Sequence, residues 1–128
     1  MTNTITLYKS VSPAQLSHLI KVDWRYFIRE SPEQKLFAPK LHCSFAEMLA
    51  RQIEAANHCA GYVVSFDILE QVISRYDITS VAYEEYEEYC IPIEDLRFIN
   101  MGIEGKIKLV SQFSSSEPTD SQMQYNTG

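Results

Sequence analysis

An acidic, tyrosine-rich run at residues 83–89 carries the side chains best suited to chemistry. It reads Tyr-Glu-Glu-Tyr-Glu-Glu-Tyr and continues into Cys90-Ile91-Pro92. Tyr, Cys and Ile favour extended chain and proline disfavours helix at the residue before it, so the run predicts a strand that ends at Pro92. A carboxylate at the entrance of such a strand is held by rigid backbone, as a catalytic group must be. The alternative is a solvated acidic edge that deters pairing with other sheets.

Other catalytic and metal-binding patterns are missing or weak in the sequence. The chain has four glycines and no glycine-rich phosphate loop. His42-Cys43 and His58-Cys59 are adjacent pairs, and adjacent residues rarely chelate one metal ion together. Cys43 is the candidate for a Cys–His nucleophile, but nothing in the sequence marks its partner. We therefore predict no metal site.

Length and charge predict a single acidic domain. The chain has 128 residues, of which 45% are hydrophobic, and a formal net charge of −6. The negative charge argues against binding of nucleic acid through its phosphates. It does not exclude a small nucleotide, which needs only one or two local donors. We predict one domain over residues 1–113 and a mobile polar tail over residues 114–128.

Cysteine usage and the N-terminus bear on location. Three cysteines without paired spacing predict free thiols and a reducing compartment. The N-terminus lacks the basic region and apolar core of a signal peptide, and no apolar run approaches the ~20 residues that span a bilayer. The expected location is the cytoplasm, or a target cell into which the protein is delivered, without a membrane partner.

Cap residues and apolar spacing predict three helices. Ser12-Pro13 opens the first, with Ser12 as N-cap. Ser44 and Glu47 form a Ser-x-x-Glu capping box at the start of the second. Asp67 is expected to cap the third, which runs to about residue 76. The buried stripe expected on the second helix is Phe45, Met48, Leu49, Ile53 and Ala56.

Short extended segments separate these helices and dominate the last third of the chain. An arm at residues 24–28 is either strand or extended chain, and Gly102 and Gly105 predict a bend or bulge. The last strand alternates, which places Ile107, Leu109 and Phe113 on one face. This order predicts an α+β fold rather than a doubly wound parallel sheet. The predicted strands are residues 4–9, 35–38, 62–66, 88–91 and 106–113, and residues 77–82 are either a further short strand or a connection.

Three short pieces resemble small bacterial proteins with the ADP-ribosyltransferase fold. Leu7-Tyr8-Lys9-Ser10-Val11-Ser12-Pro13 is similar to their opening Leu-Tyr-Arg-Ser/Gly-Val-Ser. Glu33-Gln34-Lys35-Leu36-Phe37-Ala38, followed by Phe45-Ala46-Glu47, resembles their Glu-Gly-Lys-Trp/Tyr-Phe-Ala and Ala-Glu. Residues 87–96 resemble their late Glu-x-x-Ile-Pro strand. Order and spacing also match, so the resemblance covers most of residues 5–113.

The resemblance implies a split, mostly antiparallel sheet with helices packed on it and an NAD cleft between its halves. The implied reaction breaks the nicotinamide–ribose bond and transfers ADP-ribose to a macromolecule, as in toxins and effectors of this fold. Its oxocarbenium-like step requires a carboxylate near the ribose. Glu88 is assigned that role, with Glu87 and Glu85 as register alternatives.

The resemblance also implies the cofactor-binding residues. Lys9 stands where the family has Arg and would hold the ribose or a phosphate of NAD. Phe37 would form an apolar wall for the nicotinamide ring, with Tyr8 behind it and Lys35 on the same motif strand. We therefore predict that residues 88, 9 and 37 face one pocket.

Three departures from the family pattern leave alternatives open. Lys9 lacks the planar five-donor fork of Arg, Gln34 replaces a Gly, and Cys90 stands where a bulky aromatic residue is common. One alternative is an inactive member of the fold that binds a partner protein through its acidic strand edge. Another is an acidic inhibitor, of the immunity or antidefence type, that imitates nucleic acid.

Overall fold

The computed structural model describes residues 3–81 and 83–114; the side chains of residues 81 and 83–85 lie outside the described part, as does the predicted tail beyond Ser114. The strands are β1 (Thr4–Val11), β2 (Leu36–Phe37), β3 (Ala60–Leu69), β4 (Asp77–Val81), β5 (Tyr83–Pro92) and β6 (Ile103–Ser114). The α-helices are α1 (Pro13–Lys21), α2 (Cys43–Leu49), α3 (Ala55–His58), α4 (Glu70–Ile73) and α5 (Leu96–Met101). Ala50–Glu54 is π-helical and Ile93–Asp95 is a 3-10 turn. No helix in the described ranges is long and apolar enough to cross a membrane.

The strands form two antiparallel sheets of three strands each. The first has the order β1-β3-β6 and the second the order β2-β5-β4. Lys40 lies between the sheets and makes isolated antiparallel bridges to Tyr8 on β1 and to Glu88 on β5. The predicted α+β fold with a mostly antiparallel sheet arrangement is thus confirmed at this coarse level.

Both sheets contribute to one main hydrophobic core. Leu7 and Phe66 come from the first sheet, and Phe37 and Ile91 come from the second. The Phe27 ring lies 5.0 Å from both the Phe37 and the Phe66 rings, which joins the two contributions. Neighbouring residues of a strand point to opposite faces, so alternate residues of β1 and β3 face a second, smaller cluster. That cluster is Ala46, Ala50 and Val63, with Tyr8, Cys43 and Phe113 against it.

The predicted start of α1 is confirmed by its cap. The Ser12 hydroxyl accepts a hydrogen bond from the Gln15 backbone N–H at 3.3 Å, and the Gln15 side-chain oxygen accepts one from the Ser12 N–H at 2.8 Å. These two bonds satisfy donors that a helix otherwise leaves open, and Pro13 at the first position has no N–H to satisfy. As predicted, β5 also ends at Pro92.

The predicted capping box of the second helix is wrong. The helix α2 begins at Cys43, its N-cap is His42, and no side-chain hydrogen bond caps it. The Glu47 carboxylate instead accepts a hydrogen bond from the Ser111 hydroxyl of β6 at 2.6 Å. The sequence pattern assigned the Glu47 carboxylate to the N-terminus of the helix, but Glu47 instead binds a strand that is distant in sequence.

The predicted buried stripe of this helix is also wrong in its second half. Phe45 is buried, but Ile53 is 48% exposed and Ala56 is exposed. The π-helical turn at Ala50–Glu54 bonds each N–H one residue further back, which rotates the following residues relative to an α-helix. The buried side chains downstream of Phe45 are Ala46, Ala50 and Ala55.

The third predicted helix is helical only in its middle. The strand β3 continues to Leu69, and only Glu70–Ile73 is helical. Asp67 lies within β3 opposite Thr6 and accepts a hydrogen bond from its hydroxyl at 2.6 Å. Asp67 therefore links two strands instead of capping a helix, because β1 pairs along its whole length with residues 62–69 of β3.

Irregular pairing of β6 overturns its predicted common face. Leu109 pairs with Val64 and Ser111 pairs with Val63, so Val110 is an extra residue between them. This bulge reverses the alternation, and Phe113 reaches the second cluster while Ile107 lies in the main core. The predicted bend at Gly105 is confirmed, since its φ is 75° and the pairing shifts opposite Ser65–Asp67.

The arm at residues 24–28 forms no strand, and Trp24 lies in a turn with φ 61°. The Asn100 side chain binds both backbone groups of Phe27. Phe27 N–H donates to the Asn100 oxygen at 2.8 Å, and the Asn100 amide donates to the Phe27 carbonyl at 2.8 Å. These two bonds fix the Phe27 ring in the main core without a strand partner.

Candidate functional site

The centre of the candidate site is the short segment that joins the two sheets. Lys40 N–H donates to the Tyr8 carbonyl at 2.6 Å, and Tyr8 N–H donates to the Lys40 carbonyl at 2.9 Å. On the other side, Leu41 N–H donates to the Glu87 carbonyl at 3.1 Å and Tyr89 N–H donates to the Pro39 carbonyl at 3.0 Å. The backbone of residues 39–41 is therefore bonded to β1 and to β5 at once.

The Lys40 side chain is buried and makes an ion pair with Glu88. The residue is 8% exposed, and its Nζ lies 2.5 Å from Glu88 Oε1. The same Nζ lies 5.1 Å from the centre of the Phe45 ring, within the range of a cation–π contact. The Phe45 ring stacks on that of Tyr86 at 5.0 Å, so aromatic groups of α2 and β5 cover the pair.

Burial and neighbouring charges act on the Lys40 amine in opposite directions. Loss of hydration on burial lowers the pKa of Lys40 below its usual value, while the hydrogen bond and charge of Glu88 raise it in part. The charge of Lys9 lowers the pKa further. Lys40 is thus close enough to Lys9 for their charges to repel each other.

A hollow of about 330 Å³ lies beside this segment, between β1, α1, the arm and β2. Its walls are mainly apolar and include the Phe27 and Phe37 side chains. Lys9 and Glu30 are the oppositely charged residues in its lining, and Lys9 Nζ lies 3.1 Å from a Glu30 carboxylate oxygen. Lys9 Nζ also lies 5.8 Å from the centre of the Phe37 ring. A cation and an aromatic ring therefore share one wall.

The structure brings some of the predicted site residues together and separates others. Lys9 and Phe37 line the hollow, as predicted for two residues of one pocket. Tyr8 packs against the second cluster on the other face of β1. Lys35 is exposed, and its backbone carbonyl accepts a hydrogen bond from Ile93 N–H at 2.9 Å. Among the described residues, Glu88 is bound to Lys40 and does not belong to the lining of the hollow.

The register alternatives to Glu88 have different surroundings. Glu87 lies 3.6 Å from His42 Nε2, and both side chains are substantially exposed. The side chain of Glu85 lies outside the described part of the chain. Glu87 thus lies at the surface, whereas the Glu88 carboxylate makes a partly buried contact with Lys40.

Sequence reasoning did not find Lys40 or Glu30. Lys40 follows Pro39 in a segment without hydrophobic periodicity, so no local pattern marks it as buried. Its environment arises only when β1 and β5, which are distant in sequence, lie on either side of it. Glu30 follows the predicted arm, and its contact with Lys9 depends on the path that Asn100 fixes for that arm.

The histidine and cysteine pairs take structural positions. His42 and Cys43 lie at the start of α2, and His58 and Cys59 lie at the end of α3, with Cys59 in the left-handed conformation at φ 68°. Burial and the charge of Glu47 raise the pKa of the Cys43 thiol, which disfavours the reactive thiolate. In the described ranges, no group of three or more His, Cys, Asp or Glu side chains is arranged to hold a metal ion.

Comparison with known proteins finds no matching family model, no similar curated protein and no similar solved structure. The resemblance to the ADP-ribosyltransferase fold therefore stays a prediction. The two antiparallel sheets, their junction at Lys40 and the hollow beside β1 are the structural features on which a functional proposal can be based.

Proposed function

We propose that this protein binds NAD and transfers ADP-ribose to a macromolecular target. The observation that carries the proposal is the wall shared by Lys9 and Phe37, where a cation lies 5.8 Å from the centre of an aromatic ring in a mainly apolar hollow. Such a wall suits a ligand that combines a flat ring with a phosphate. Nicotinamide and the adjoining phosphates of NAD have this combination.

The hollow is a shallow, open depression that would hold only part of a dinucleotide. Its empty space of about 330 Å³ includes open solvent, so little of it is enclosed. We therefore assign it to the nicotinamide end of NAD, with the adenosine end extending over the surface. The two sheets that meet beside the hollow are compatible with the split sheet of an ADP-ribosyltransferase.

In the proposed reaction, positive charge develops on the ribose as the bond to nicotinamide breaks. Glu88 stabilises this charge through its carboxylate, as the carboxylates of glycosidases do. Its side chain is 21% exposed, so substrate can reach it from the surface. Lys40 contacts Oε1, and the ribose would bind to Oε2.

The test combines NAD binding with nicotinamide release. Bound NAD stabilises the native state by linkage, so millimolar NAD is expected to raise the melting temperature. Glu88→Gln is expected to lower nicotinamide release by about a hundredfold or more, because it removes the stabilising charge. Glu87→Gln, a neighbouring carboxylate on the surface, is the matched control and should retain activity. A melting temperature that does not respond to NAD contradicts the proposal.

Both charged groups of the proposed site are already paired, which favours a second function. Glu88 is bound to Lys40 and Lys9 is bound to Glu30. With its charges neutralised internally, the site would bind no NAD, and the protein would act as an inactive member of the fold that binds a basic partner through the acidic surface of β5. Binding to a basic peptide that is lost at high salt, without any response to NAD, would favour this function.

A further inference from the structure

Among the residues that the structure describes, Lys40 is the one charged residue that is buried. Buried ion pairs can often be replaced by apolar residues without loss of stability, so stability alone does not account for a buried lysine in this position. Its backbone is bonded to Tyr8 on one side and lies between Glu87 and Tyr89 on the other, so the start of the side chain is fixed. A rigid cation is thus held against one carboxylate.

We infer that Lys40 is a positioning residue, which holds the Glu88 carboxylate in one orientation for the proposed reaction of NAD. This inference rests on the proposed function. Lys40 contacts Oε1 at 2.5 Å, and a carboxylate is planar, so this contact also fixes the direction of Oε2. The Phe45 ring, 5.1 Å from Nζ, limits the alternative positions of the amine.

The ionisable groups that act on the Lys40 amine come from two strands. Glu88 and Cys90 on β5 and Lys9 on β1 act on the Lys40 charge, and α2 contributes the Phe45 ring. Glu88 favours the charged amine, whereas Lys9 opposes it. The pair therefore places a cation 2.5 Å from the carboxylate on which the proposed oxocarbenium-like step depends.

The first test compares Lys40→Met with Lys40→Arg. The Met variant keeps an unbranched side chain but has no charge, and we expect kcat for nicotinamide release to fall by about ten- to a hundredfold, the range found for groups that orient reacting ligands. KM for NAD should change little, because Lys40 does not line the hollow. Lys40→Arg, which restores a cation beside the Glu88 carboxylate, should recover most of the kcat that the Met variant loses.

A purely structural role predicts a different result. Lys40→Met would then lower the melting temperature while the folded fraction kept its kcat, and this outcome would overturn the inference. Thermal unfolding of each variant shows that the kinetic measurements are made on folded protein.

A second measurement separates the inference from the proposed function. The Lys40 amine is titrated by NMR through its neighbouring carbon, in the wild type and in Glu88→Gln and Glu87→Gln. Glu88 raises the Lys40 pKa, so Glu88→Gln is expected to lower it further, and Glu87→Gln is expected to leave it in place. An unchanged Lys40 pKa in Glu88→Gln refutes the positioning role even if NAD is consumed. A shifted pKa in a protein that never releases nicotinamide refutes the proposed function, and the inference with it.

Discussion

At the scale of single residues, the energetics of the site depend on how far each charge is removed from water. The side chains of Lys40 and Glu88 are 10% and 21% exposed, whereas those of the more exposed pair, Lys9 and Glu30, are 14% and 32% exposed. A partly exposed pair contributes little to stability and exchanges readily with other partners. A buried pair resists exchange, because separating it leaves a charge without compensation. We therefore expect Lys9 to take up ligands and Lys40 to stay with Glu88.

The exposed pair predicts a competition between Glu30 and an anionic ligand. Glu30→Gln removes the carboxylate that is paired with Lys9 Nζ. A phosphate of NAD would then bind Lys9 without first displacing the Glu30 carboxylate. Since exposed pairs are worth about 0.2–1 kcal/mol, affinity for NAD should increase by up to about fivefold. Calorimetric titration measures this change, with Glu33→Gln on the nearby turn as the control. Weaker binding by Glu30→Gln would show that Glu30 holds the ligand instead.

The lowered pKa of Lys40 predicts a pH dependence of stability. Between the folded-state pKa and the unfolded value near 10.5, the unfolded chain binds more protons, so the contribution of Lys40 to the free energy of unfolding rises with pH. Cys43, Tyr76 and Tyr89 have raised pKa values and act in the opposite direction at alkaline pH. Urea unfolding of the wild type and of Lys40→Met should therefore be compared at each pH. The difference, wild type minus variant, should increase through this window, and a constant difference would contradict the assignment.

At the scale of elements, the turn between the second helical segment and β3 depends on a close backbone approach. A Cβ on Gly61 would lie 2.2 Å from the Ala50 carbonyl oxygen and 2.9 Å from the Glu54 Cβ. The π-helical turn at Ala50–Glu54 is the backbone that Gly61 touches. The rotation that buries Ala50 and Ala55 is therefore coupled to the glycine at the second position of β3.

This approach predicts a large effect of Gly61→Ala. The clash involves backbone, so relief requires a shift of the helix, and we expect the free energy of unfolding to fall by about 2–3 kcal/mol. Gly105→Ala is the control, because its added Cβ would meet nothing within 4 Å. Its loss of stability would come only from backbone strain, since φ at this position is 75°. That strain costs about 1–2 kcal/mol. Chemical denaturation measures both, and an equal or smaller loss for Gly61→Ala would exclude the clash.

The elements differ in how well local sequence determines them. The start of α1 was predictable because Ser12, Pro13 and Gln15 all act within one turn. The capping box at Ser44 failed because Glu47 binds Ser111, which is 64 residues away in sequence. The bulge at Val110 depends on the register of β6 against β3, which no pattern within β6 contains. That Lys9 and Phe37 line one hollow was predictable, whereas the burial of Lys40 required knowledge of both flanking strands.

At the scale of the whole molecule, the two sheets depend on one core. Ile68 on β3 in the first sheet and Ile91 on β5 in the second are both fully buried in the main cluster. The Phe27 ring contacts Phe37 of one sheet and Phe66 of the other, and Asn100 fixes it there. Neither sheet can lose its packing without exposing apolar surface of the other. The domain should therefore unfold in a single cooperative transition.

A matched pair of core substitutions tests this cooperativity. Ile68→Val and Ile91→Val each remove one buried methylene from a different sheet, so each should lower the free energy of unfolding by about 0.5–1.5 kcal/mol. Far-UV circular dichroism reports both sheets, and the fluorescence of Trp24, which packs on the main core, reports its surroundings. Ile78→Val on β4 is the control, because Ile78 is 45% exposed and its change should stay within about 0.5 kcal/mol. A shared core requires the dichroism and Trp24 transitions to move together in both core variants. If the second sheet unfolded independently, Ile91→Val would shift the dichroism transition and leave the Trp24 transition in place.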